Sequence, residues 1–218
     1  MADRLSQFTW LDKPGENARW LGEIFCVSFF RGLSPVEVLD RFGPEGTTGI
    51  GREMTIHDLG EVVGDFVRKT QGGSGGGYVG VRQVDGWSMA IELLGWYAVR
   101  PDYLTRLSRG CEMVAVSRHA YADDSFVYAV DGELITGFDP HLPGSRWGSE
   151  PDRINPDLHK LGLPTEILHD EAWEKSWHRL YDQRILRAFA LAAEITGVVF
   201  TSSLLDGPLL VGPITQQA

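Results

Sequence analysis

The chain has 218 residues and a net charge of −10, with 43% hydrophobic and 23% charged residues. It is too apolar for a disordered segment and long enough to bury a core. An acidic balance repels phosphate backbones, which argues against general nucleic-acid binding and against docking on anionic membranes.

In chain order, residues 23–30 are short, aromatic and β-branched, and read as a buried strand. Ser34, Pro35 and Glu37 then fall at the cap, first and third positions of a helix. Val36, Leu39 and Phe42 would form its apolar side, with Gly43 as the stop. Thr55 and Asp58 repeat the capping pattern, and Ile56, Leu59, Val62, Val63, Phe66 and Val67 recur at helical spacing to about Lys69. The glycine-rich stretch 71–77 lacks the lysine and the following helix of a phosphate loop. It reads as a flexible linker between a helical N-terminal part and a sheet.

The strongest local signal comes next. Asp85-Gly86 separates residues 78–84 from 87–93, and Asp131-Gly132 separates 125–130 from 133–138. Asp-Gly supplies the positive φ angles of a type I′ hairpin, so both pairs predict antiparallel ribbons. Between them, residues 101–109 read as a short helix and 111–117 as another strand. Residues 139–156 carry four prolines and read as a long loop without regular structure, a common place for function. A short helix from Asn155 to Gly162 follows. Residues 170–196 are the longest helix candidate, with Trp173, Trp177 and Tyr181 on one face and Gly197 as the stop. Thr201 caps a last turn, and 208–213 is extended. The fold class is therefore α+β: an antiparallel sheet of five or more strands, covered by a long C-terminal helix and N-terminal helices, in one domain over 1–218.

Cys26 and Cys111 belong to no paired motif and read as two buried, reduced thiols. No secretion signal and no apolar run of membrane-spanning length is evident, so the expected location is the cytoplasm.

Candidate chemistry is sparse. The chain has no Gly-x-Ser-x-Gly elbow, no His-Glu-x-x-His and no dinucleotide fingerprint. His119 with Asp123, and Asp139 with His141, are two His–carboxylate pairs, but their spacing does not specify a metal, and neither metal nor cofactor is expected. Glu92 shares a strand face with Ser88 and Ala90. A solvated place on an open sheet face is the favoured reading; a buried general acid–base carboxylate is the other. Arg146 either clamps an anion or pins its own loop, and pinning is favoured. Trp87, Trp96, Tyr97 and Trp147 are candidates for a binding platform.

One resemblance draws on most of the chain. It rests on Cys26 to Leu39 (CVSFFRGLSPVEVL), Gly86-Trp87 with Glu92 and Gly95, LSRG at 107–110, and Phe138-Asp139-Pro140. Arg146 to Asp152, AEITGV at 193–198 and LLDGP at 204–208 complete the set. Together these motifs resemble an actinobacterial domain family of unknown function. The resemblance implies a single domain and carries no activity and no catalytic residues.

Two functions are consistent with these residues. The preferred one is a non-catalytic recognition or accessory protein that binds a protein or peptide through the open sheet face and the 139–152 loop; a homodimer is compatible with it. The alternative is an enzyme without known motifs, acting on a small molecule or peptide through Glu92, His119, Asp139, His141 and Arg146. The enzyme reading requires at least three of these five side chains to converge on one pocket.

Overall fold

The computed structural model describes residues 2–12, 21–44, 51–121, 123–167 and 181–215. Within these residues one antiparallel sheet of nine strands runs through the molecule. The strands are β1 (Ile24–Arg31), β2 (Arg52–Met54), β3 (Gly76–Val84), β4 (Trp87–Leu93), β5 (Glu112–His119), β6 (Ser125–Val130), β7 (Glu133–Phe138), β8 (Arg146–Trp147) and β9 (Leu209–Thr215). Their order across the sheet is β2-β9-β3-β4-β1-β5-β6-β7-β8.

Both Asp-Gly hairpins form as the sequence predicts. Asp85 and Gly86 have φ of 46° and 82°, and Asp131 and Gly132 have 49° and 84°. Their twist matches that of the flanking strands. The described helices are α1 (Ala2–Ser6), α2 (Pro35–Phe42), α3 (Ile56–Lys69), α4 (Pro101–Leu107), α5 (Asn155–Lys160) and α6 (Arg184–Thr196). Ser34 and Thr55 close complete capping boxes with Glu37 and Asp58. Leu39 and Phe42 are buried on the apolar side of α2 as expected, whereas Val36, also expected there, is exposed and Val38 is buried in its place.

Alternation along β1 separates two cores. Phe25, Val27 and Phe29 face one cluster, which also holds Ile56, Leu59 and Val63 of α3 and Ile185 and Phe189 of α6. Cys26 and Phe30 face the other, with Phe42 of α2 and Leu104 and Leu107 of α4. Helices thus cover both faces of the sheet, and its central strands are buried on both sides. The open face expected from the sequence shrinks to the part over β6, β7 and β8, beside α4.

Four other expectations change. Residues 71–75 form the turn between α3 and β3, but Gly76 and Gly77 already pair with Thr215 and Ile214 of β9. The N-terminal part is not only helical, since it supplies β1 at the middle of the sheet and β2 at its edge. The extended tail is a full strand between β2 and β3. The 139–156 loop contains β8 and two further bonds to β7, from Ser149 N to Leu134 O and from Glu150 N to Ile135 O. Trp173 and Trp177 lie outside the described residues; the described helix begins at Arg184, after a break at Gln183.

Gly76 has φ of 147°, and a Cβ there would stand 2.1 Å from the Ile214 carbonyl oxygen. Gly76→Ala is therefore expected to lower stability by about 1–2 kcal/mol, through strain and a broken β3–β9 end pair. Chemical denaturation measures it; an unchanged midpoint would restore the linker reading.

Candidate functional site

Topology brings the candidate residues other than Trp87 to one end of the sheet, where β1 and β6 begin and β4, β5 and β7 finish. Their side chains then part. Glu92 is 0% exposed on the α2/α4 face, opposite the solvated reading. After Leu93 the chain folds back over this face as a turn of 3-10 helix, Tyr97–Val99. Tyr97 N donates to Glu92 Oε2 at 2.6 Å, and Ala98 N donates to Oε1 at 2.9 Å. The carboxylate thus serves as an internal cap. Burial pushes its pKa up to about 7, although both backbone donors and the Cys26 side chain pull the other way. Burial, and secondarily Glu92, also pushes the Cys26 thiol up, which makes it a poor nucleophile. Cys26 and Cys111 are both free and buried.

His119 lies on the same face at the end of β5. Its Nδ1 accepts from Tyr121 N at 3.2 Å, and the Trp96 ring meets its ring edge-on at 4.6 Å. The expected partner Asp123 is exposed; it is Asp124, buried, that accepts from His119 N and ion-pairs with Arg184 Nε at 2.7 Å. Asp139 and His141 do pair. Asp139 Oδ1 accepts from the His141 backbone at 2.9 Å and lies 2.7 Å from Nδ1. That contact favours the Nδ1–H tautomer and leaves Nε2 with its lone pair. Tyr181 packs on the His141 ring at 4.9 Å.

Arg146 pins its loop. Its side chain is 5% exposed and donates to the carbonyls of Pro143, Pro151 and Thr165 and to Asp152. Beside it on β8, Trp147 points to the opposite face and is 48% exposed. Its indole lies against Gly137 of β7, where a Cβ would come within 2.7 Å of Nε1. Trp87 is buried in the α6-side core. Trp96 and Tyr97, with Arg100 and glycines 72, 73 and 76, line a small cavity of about 70 Å³.

Near these residues a groove of about 330 Å³ opens beside α4. Val127 and Leu134 form its floor, Leu104, Thr105 and Val99 one wall, and Trp147 the other. It is the uncovered part of the sheet face, and its lining is mainly apolar.

The model of DUF6461, a family of unknown function, matches residues 1–212. The chain belongs to the DUF6461 family. No curated protein and no solved structure matches it. Among the described residues of this DUF6461 member, no three His, Cys, Asp or Glu side chains converge as a metal site would require. No described helix is long and apolar enough to cross a membrane.

Of the five acid–base candidates in this DUF6461 member, only Asp139 and His141 share a bond; Glu92, His119 and Arg146 each engage separate partners. Sequence reasoning missed Asp124 and the groove wall from α4. Asp124 follows another aspartate in a turn, and only Arg184, distant in sequence, singles it out.

Proposed function

We propose that this DUF6461 member is a non-catalytic recognition protein that binds a peptide segment of a partner in the groove between α4 and Trp147. One observation carries the reading: a half-exposed tryptophan, on a strand paired with β7 in a loop that a buried arginine pins, stands beside an apolar groove. Loops that present an aromatic ring on a fixed base supply the central anchors of interfaces, because little side-chain freedom remains to be lost on binding. Two buried thiols support a cytoplasmic location, and the motif set supports an actinobacterial source.

The test is a random-peptide display selection on the whole protein, followed by titration of enriched peptides. Trp147→Ala is expected to weaken binding at least tenfold, and Thr105→Trp, which fills the groove from an exposed position on α4, to block it. Equal affinity for wild type and both variants would remove the proposal.

The Asp139–His141 pair is the one observation that speaks for a second reading, acid–base catalysis, since the aspartate orients the imidazole as a base requires, but two joined side chains fall short of the three that reading requires. On that reading, His141→Gln abolishes turnover of a substrate that Trp147→Ala still processes.

A further inference from the structure

One wall of the groove begins in the turn that leaves β4. Residues 94–99 run from the end of β4 to Arg100, where α4 starts. Val99 of this turn and Pro101 just after it line the groove. The turn is lightly packed. Leu94 and Trp96 are exposed, and Ala98 is the one side chain in it that is fully buried. Lifting the turn would uncover little apolar surface, and segments with few buried apolar contacts open most readily. Leu94, at a left-handed φ of 50° beside Gly95, and Pro101, at the start of α4, mark its two ends.

Its main tie to the sheet is a carboxylate. Past Leu94, the N–H groups of Val99 and Arg100 bond within the turn, to Trp96 O and Tyr97 O. Those of Tyr97 and Ala98 donate to Glu92 at 2.6 and 2.9 Å. Tyr97 Oη also donates to Gly76 O at 2.9 Å, and Trp96 leans on His119. The turn covers Glu92 in return. A Cβ on Gly95 would stand 3.3 Å from Glu92 Oε2, and the carboxyl is fully buried although it lies at a strand end. Lifting the turn therefore brings this carboxyl into water.

Opening and proton loss are thus linked. In the closed turn, burial favours the neutral carboxyl and pushes its pKa up to about 7; once hydrated, it returns to the ordinary 4.5. The closed form holds the proton more tightly, so closure is fully supported below 4.5 and loses support as pH rises through 7. The ionisable groups around Glu92 keep their charge in this window. Burial raises the pKa of the Cys26 thiol on β1 and of the Tyr97 phenol, and hydrogen bonds to Asp102 raise that of Arg100. On β3 its neighbour Val79 is apolar. On β5, His119 touches the turn through Trp96, and histidine is a side chain that changes charge near neutrality.

We propose that residues 94–99 form a pH-responsive flap, which closes over Glu92 when that carboxyl is protonated and, when the proton leaves, lifts and takes Val99 out of the groove wall. The consequence for a ligand rests on the recognition reading above: a peptide in the groove packs on Val99 and so selects the closed form. By linkage, such a peptide holds the flap shut and raises the proton affinity of Glu92.

Hydrogen exchange of single backbone amides in the full chain, followed by NMR from pH 6 to pH 8, measures the opening. Tyr97 and Ala98 should be about tenfold or more less protected than Val27 and Met89 in the central strands, because the flap opens without the sheet. Corrected for the pH dependence of exchange itself, their protection should fall about tenfold from pH 6 to pH 8. It should be independent of pH in Glu92→Gln and should still fall in His119→Gln. A peptide selected on the groove, added at ten times its Kd, should raise it about tenfold. Turn amides as protected as those of Val27 and Met89, or a protection that ignores pH in the wild type, would overturn the inference. So would a fall that persists in Glu92→Gln or vanishes in His119→Gln, which would make another group the one that titrates. A peptide that binds through Trp147 without changing the protection of Tyr97 and Ala98 would also overturn it and leave the recognition reading standing. If no peptide binds, the recognition reading falls, and the flap stands or falls on the pH profile of the wild type and Glu92→Gln.

Discussion

Replacing Glu92 with glutamine is expected to remove a large pH dependence of stability. The Glu92 carboxyl titrates at about 7 in the folded protein against an ordinary value of 4.5. Below 4.5 both the folded and unfolded chains hold the proton, and the buried group is neutral. Between those values the folded chain keeps a proton that the unfolded chain has released, so stability falls as pH rises. Above 7 the folded chain holds a buried charge that its two N–H donors only partly compensate. Integrated over that window, the loss is roughly 3 kcal/mol, and on the order of 10 °C in Tm for a chain of this size. Glutamine does not titrate. Its amide oxygen can accept one of the two N–H groups while its own NH2 faces the other, a fixed cost of about 1–3 kcal/mol at all pH values. Stability of wild type and Glu92→Gln, measured by denaturant titration from pH 4 to pH 8.5, should therefore diverge in favour of the variant by roughly 3 kcal/mol. Parallel profiles would show that the carboxylate is already ionised at pH 5 and that its hydrogen bonds outweigh its burial.

Arg146→Met is expected to destabilise the protein by about 3 kcal/mol and to abolish peptide binding at Trp147. The guanidinium of Arg146 joins three loop carbonyls, of Pro143, Pro151 and Thr165. Losing the shared donor leaves these carbonyls to find water or move, at about 1 kcal/mol or more each. The loop then no longer presses the Trp147 indole on Gly137. Arg146→Lys should rescue little, because an ammonium cannot reproduce the planar fork. Asp152→Asn should leave stability unchanged within error, since the Asp152 side chain is mostly exposed. An arginine held ready for an anionic ligand predicts the reverse: normal stability in Arg146→Met and loss of binding alone. Thermal unfolding of the three variants separates the two roles.

Much of this molecule could be read from short stretches of sequence. Asp85-Gly86 and Asp131-Gly132 specify their hairpins because a type I′ turn requires positive φ at two adjacent residues. Ser34 with Glu37, and Thr55 with Asp58, start their helices because the capping bonds span only three residues. Alternation along β4 sets Trp87, Met89, Ile91 and Leu93 on one face and Glu92 on the other. Each of these facts is local, so sequence alone determines them. What only the tertiary structure decided is what lies over those faces. Glu92 is buried because residues 94–99 fold back across it, and β9 enters the sheet beside Gly76 from more than a hundred residues away. Arg146 is a pin because Thr165 comes to it, and Trp147 stays half exposed because α4 ends the cover of the sheet before reaching it. Long-range pairing depends on how separate segments share one core, and no spacing within a single segment records that.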